Sequence, residues 1–268
     1  MYLCDDIIQK VLHFLSLNDL ITIGNKFNKQ WNKNTLSKHV WSYINIDSQK
    51  EYYHDSSEVL YKNIFINYGH LMQNIVLYKS TDTAILYALL KKENMLKTIT
   101  VEIFDHNSAN TQIYFLEKMY NEGLLNKVKN ISLILEEYNR YNDFSDHRYS
   151  YLYDFFSDMK DHKIAKLITT IEFKMKNYNM VDAYTYIFED MGKYCENIKN
   201  VSICVRKNTY VDHYPINEDA INYLCNIETI EYLTVRSCNF KDEWIKQIKE
   251  TMPNLVVFEH IKNESLFY

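Results

Sequence analysis

The sequence predicts an α/β chain: short parallel strands alternate with helices, and a small all-helical module precedes them. Three observations carry this. A unit of the form apolar-x-x-apolar-x-apolar returns seven times after residue 70, each copy closing in the period-2 alternation of a half-buried strand. Stretches of helical periodicity fill the spaces between copies. The first 46 residues carry amphipathic helical patterning only. Four glycines and two prolines in 268 residues leave no supply for Gly-rich phosphate loops, Asn-Gly hairpins or Pro-rich segments.

Residues 1–46 read as a three-helix module. Over Asp5–Ser16, apolar residues at Ile7, Ile8, Val11, Leu12, Phe14 and Leu15 give a helix with a wide apolar face, opened by acidic residues suited to a helix N-terminus. Ser16 and Asp19 offer a second start, before Leu20, Ile23 and Phe27. A third segment, Leu36–Ile46, sets Leu36, Val40, Trp41 and Ile44 on one side. Three short helices cannot bury so much apolar surface alone, so they either cap the rest of the chain or meet a partner.

These residues resemble an F-box. The resemblance is carried by Leu3-Cys4-Asp5-Asp6-Ile7-Ile8, Val11-Leu12, Phe14-Leu15-Ser16-Leu17, Asp19-Leu20 and the spaced Trp31 and Trp41. Cys4 stands where that family has proline, and Asp6 where it has glutamate. The resemblance implies docking onto a Skp1-type adaptor and, through it, a cullin-RING ubiquitin ligase. The partner-facing candidates are Leu3, Cys4, Ile7, Ile8, Val11, Leu15 and Leu17, in a helix-in-groove contact. Trp31 and Trp41 are expected to lock the helices together.

Residues 47–69 read as a helical connector and 70–268 as the repeating part. The middle anchors of the units fall at Ile75, Ile99, Ile131, Ile171, Val201, Leu233 and Leu255, in steps of 24, 32, 40, 30, 32 and 22. Helices are expected over Thr111–Asn121, Tyr151–Leu167, Asp182–Cys195, Ile216–Leu224 and Asp242–Thr251. No such unit buries its own apolar face, whereas stacked units share a continuous core. Ile230-x-x-Leu233-x-Val235-x-x-Cys238-x-Phe240 resembles the core of a leucine-rich repeat, and Met252-Pro253-Asn254-Leu255 resembles its helix-to-strand entry. The array is therefore similar to the irregular leucine-rich-repeat solenoids joined to F-boxes; an α/β array of unrelated type is the other reading.

In one parallel sheet, the residues between the anchors stand on the face away from the helices. They are Thr100, Glu102, Ser132, Ile134, Glu172, Lys174, Ser202, Cys204, Thr234 and Arg236. The resemblance makes this the side that holds a protein substrate, with Glu172, Lys174 and Arg236 as candidate contacts. The insertion Glu136–Arg148 adds Tyr138, Arg140, Tyr141, Phe144 and Arg148, residue types enriched in interface hot spots. A second loop, Arg206–Pro215, contributes Arg206.

Other functions find no support. A net charge of −5 with interspersed signs argues against nucleic acid. There is no apolar run long enough to span a membrane and no secretory leader pattern, so an intracellular location, cytoplasmic or nuclear, is expected. Five widely spaced cysteines read as free thiols in a reducing compartment. Nucleophile-elbow, zinc-protease, phosphate-loop and dinucleotide motifs are all missing, so the chain is expected to be a non-catalytic adaptor without metal or cofactor.

Overall fold

The computed structural model describes residues 4–12, 19, 29–35, 40, 71–77, 87, 96–103, 106–137, 151–175, 183–205, 216–236 and 240–261. The chain is α/β, with seven parallel strands in one sheet that follow sequence order throughout. It divides into two compact units, Met1–Val101 with Tyr114–Lys129, and Glu102–Ile113 with Asn130–Tyr268.

The first unit opens with α1 (Asp5–Leu12) and α2 (Lys29–Thr35), which pack on each other. Of the predicted second and third helices, only Asp19 and Val40 lie within the described residues, as does none of the 47–69 connector. The strand β1 (Asn74–Leu77) pairs in parallel with β2 (Thr98–Ile103), setting Ile75 opposite Ile99 and Leu77 opposite Val101, all four buried. The helix α3 (His106–Asn121) begins five residues before the predicted Thr111. It closes through Gly123 at φ 72°, with Gly123 N donating to the Tyr120 carbonyl and Leu124 N to the Met119 carbonyl. That pair of bonds needs a left-handed residue, which glycine adopts without a Cβ penalty.

The second unit continues with β3 (Asn130–Glu137), α4 (Tyr151–Asp158), two 3-10 turns (Met159–Asp161 and Lys163–Leu167) and β4 (Ile168–Met175). The continuous helix predicted over Tyr151–Leu167 is thus broken: the stripe Leu152, Phe155, Phe156, Met159 ends where polar His162 and Lys163 would extend it, and His162 turns extended at φ −105°, ψ 119°. Next come α5 (Ala183–Tyr194), β5 (Asn200–Val205), α6 (Glu218–Cys225), β6 (Tyr232–Arg236), α7 (Asp242–Thr251) and β7 (Val257–Ile261). α5 buries Tyr184, Ile187, Phe188 and Met191 at helical spacing. Asn217 caps α6 by accepting from Ala220 N at 2.8 Å, and accepts from Thr185 Oγ1 of α5 at 3.0 Å.

Strands added in sequence order with crossovers of one hand carry their helices to the same face of the sheet. Burial in the second unit follows that rule. Ile131, Leu133 and Leu135, Ile171 and Phe173, Val201 and Ile203, and Leu233 and Val235 are buried, while the alternate residues are half-buried or exposed. Phe173 is the centre of the core, with ring centroids of Phe188, Tyr184 and Phe156 at 5.8, 6.2 and 6.3 Å.

A single joint recurs where strands begin. The Gln73 carbonyl accepts from Lys97 N and Thr98 N, the Lys199 carbonyl from Glu231 N and Tyr232 N, and the Glu231 carbonyl from Val256 N and Val257 N. Side chains reinforce it: Asn197 Nδ2 reaches the Lys166 carbonyl and Asn254 Nδ2 the Glu228 carbonyl, each at 2.7 Å.

The expected register slips at β3, where an irregularity between Ile131 and Ser132 sets Leu133 rather than Ile131 opposite Ile171, and the last unit departs from it further. Leu233 lies opposite Phe258, and Val235 opposite His260. Its middle anchor is therefore Phe258, three residues beyond the predicted Leu255, and Leu255 takes the place that Ile230 holds one strand earlier. Val257, expected to face the core, stands on the other face and is exposed, while His260 packs against Phe240 at 5.6 Å. Met252, Leu255 and Val257 also satisfy the apolar spacing, and a histidine at an anchor hides the true phase.

Candidate functional site

Two surfaces carry the residues singled out in the sequence. The first is α1. Its apolar residues divide between two faces: Ile8 and Leu12 are wholly buried, whereas Ile7 is 49% and Val11 42% exposed, and Cys4 just before the helix is exposed as well. Ile8, placed among the partner-facing residues by the sequence, thus belongs to the inside of the first unit. Leu3, Leu15 and Leu17 lie outside the described residues.

What fixes α1 is polar. Asp5 accepts at Oδ1 from Asn34 Nδ2 at 3.0 Å and from Gln30 Nε2 at 3.1 Å, both on α2, and Lys33 stands 3.9 Å away. Gln9 returns a bond to Asn34 Oδ1 at 3.1 Å. Asn34 is buried, and its amide and carbonyl are both used. The bonds from Asn34 first, then Gln30, and the charge of Lys33 hold the Asp5 carboxyl below its ordinary range, because each favours the charged form. Sequence reasoning missed this clasp. α2, KQWNKNT, has no apolar stripe to announce it, and only an acid at the start of α1 with amides four residues apart on a neighbouring polar segment hinted at it.

The second surface is the open face of the sheet in the second unit. Register sets three rows across it: Ser132, Thr170, Asn200, Tyr232 and Val257; Ile134, Glu172, Ser202, Thr234 and Glu259; and Glu136, Lys174, Cys204, Arg236 and Ile261. Of the predicted substrate contacts, Lys174 and Arg236 fall in one row with Cys204 between them, and Glu172 in the next. Lys174 Nζ reaches the buried Glu102 carboxylate at 3.8 Å. Asn200 Nδ2 donates to Thr170 Oγ1 at 3.1 Å. Tyr138, Arg140, Tyr141, Phe144, Arg148 and Arg206 lie outside the described residues. Glu259 was missed, because the misplaced last anchor turned it to the wrong face.

Among the described residues, no group of three His, Cys, Asp or Glu could hold a metal ion, and no helix is long and apolar enough to cross a membrane. Cys195 and Cys225 are buried; burial pushes the Cys195 thiol up to about 12 and raises that of Cys225, so neither supplies a thiolate nucleophile near neutrality. Compared with known protein families and with characterised proteins, the chain matches none.

Proposed function

We propose that this chain is the substrate-recognition subunit of a Skp1–cullin–F-box ubiquitin ligase, with α1 docking on the Skp1-type adaptor and a leucine-rich-repeat array holding a protein substrate. The observation that carries the reading is the divided apolar surface of α1. Ile8 and Leu12 complete the unit's own core, yet Ile7 and Val11 on the same short helix, and Cys4 just before it, remain outside. An apolar helix face of that kind suits a hydrophobic groove on another protein. The ordered α/β array supports the second half of the reading, since stacked units offer one helix-free face for binding. The chain then acts by position. Holding substrate beside the transferring enzyme raises effective concentration and requires no acid, base or nucleophile from the receptor.

The test is capture of a Skp1-type adaptor by the full chain, wild type against Ile7→Asp/Val11→Asp. Both positions are exposed, so the variant should keep its helical circular dichroism. Capture by wild type and its loss in the variant are expected. A wild type that captures nothing, or a variant that captures equally well, overturns the ligase reading in favour of a repeat scaffold whose helical module is only a cap.

A further inference from the structure

The corrected phase of β7 brings a fourth polar group into line with three others. Glu172 on β4, Ser202 on β5, Thr234 on β6 and Glu259 on β7 occupy successive register positions on the open face. Of the rows on either side, one is tied internally by Asn200 to Thr170, and in the other Lys174 pairs with Glu102 of β2. In this middle row, the side chains of Glu172, Ser202, Thr234 and Glu259 make no hydrogen bond or ion pair with any described residue. Glu172, Ser202 and Thr234 are half-buried, so their polar groups meet less water than a free surface would give them.

Charge names the kind of partner. On this face of the second unit, Glu102, Glu136, Glu172 and Glu259 stand against Lys174 and Arg236, and Lys174 is engaged with Glu102. Whatever covers the middle row must bring cations and hydrogen-bond donors. Spacing narrows the choice further. Glu172 and Glu259 are three strand steps apart, about 14 Å at the usual strand separation. An extended segment crossing the strands repeats its same-side side chains about every 6.8 Å, so positions i and i+4 also span about 14 Å.

We propose that the open face of β4–β7 docks an extended basic segment of a protein partner. Lys or Arg side chains at i and i+4 meet Glu172 and Glu259, and a small hydrogen-bonding residue between them meets the hydroxyls of Ser202 and Thr234. This names a substrate class for the repeat array and rests on reading that array as the partner-holding half of the chain.

The test uses three alanine-based fluorescent peptides titrated with the full chain in the absence of any adaptor: Lys at i and i+4 with Ser midway, Glu in place of both Lys, and the two Lys adjacent. The first peptide should bind most tightly and the Glu peptide not at all. Glu172→Gln/Glu259→Gln should weaken the first by about tenfold or more, the loss expected for charge-assisted bonds. Glu196→Gln/Glu228→Gln makes the same change of net charge at exposed turns away from the sheet face and should leave binding unchanged. Equal binding of the Glu peptide or of the adjacent-Lys peptide overturns the proposal. So does an equal loss in the turn variant, or no binding by the first peptide. Adaptor capture through Ile7 and Val11 is scored separately, so either idea can fail while the other stands.

Discussion

Asn34 donates its side-chain amide to the Asp5 carboxylate at 3.0 Å, joining two helices across 29 residues of sequence. The bond also sets which side of α1 faces outward, because Gln30 and Gln9 complete the same clasp. Asn34→Ala should therefore destabilise the helical module by about 1–2 kcal/mol, as expected for buried hydrogen bonds lost. Native-state hydrogen exchange of the α1 amides measures it, and adaptor capture should weaken in parallel.

The clasp also has a pH dependence of known sign. The folded-state Asp5 carboxyl titrates below its ordinary value of 3.8. Its contribution to stability is therefore complete above that value and disappears as pH falls through the lower, folded-state value. Asp5→Ala should make α1 exchange faster than wild type at neutral pH, and the difference should vanish in strong acid. A gap that persists undiminished there would remove the carboxylate from the account.

Phe173 touches three other rings in the core of the second unit. Phe173→Ala should cost about 3–5 kcal/mol, the range for a large aromatic removed from a packed site. Urea titration gives the loss as a shift of the midpoint.

The register of the last strand predicts a contrast between neighbours. Val257→Ser, on the exposed face, should stay within about 0.5 kcal/mol of wild type. Phe258→Ser, at the anchor position and beside Lys249 at 5.8 Å, should lose at least about 1 kcal/mol of buried apolar area. Reversal of that order would restore the phase with Leu255 as anchor.

The thiols should separate by exposure. Alkylation of the native chain at mildly alkaline pH is expected to mark Cys4 and to leave Cys195 and Cys225 unmodified, the last two reacting only after denaturation. Peptide mass mapping reads each position.

Six of the seven strand anchors fell on the buried face because each is an aliphatic residue in a spacing that helices do not share, but the irregularity after Ile131 sets Leu133, not Ile131, opposite the anchor Ile171. The seventh failed because His260 occupies an inward position and Val257 an outward one, so hydropathy pointed to a frame three residues early. Asp242–Thr251 was found to the residue, helped by Trp244 and Ile248 on one face and acids in its first turn. Tyr151–Leu167 was overextended because helical propensity continues past Met159 although the buried stripe does not. On α1, periodicity marked Ile7, Ile8, Val11 and Leu12 as apolar, but their division between inside and outside depends on where α2 lies. That position is set by Asp5, Gln30 and Asn34, polar residues whose meeting leaves no trace in a hydropathy pattern. Glu259 was lost to the phase error alone.

The bonds at the strand entries constrain where the chain can change length. From the end of α5, α6 or α7 to the next strand, five or six residues intervene; from the end of β3 to α4, or of β5 to α6, there are more than ten. The segments leaving β3 and β5 can thus be lengthened or shortened without shifting the ladder, whereas one residue added ahead of a strand would turn its inward side chains out. Diversity in such a chain should gather along a single rim, while the opposite rim keeps its spacing.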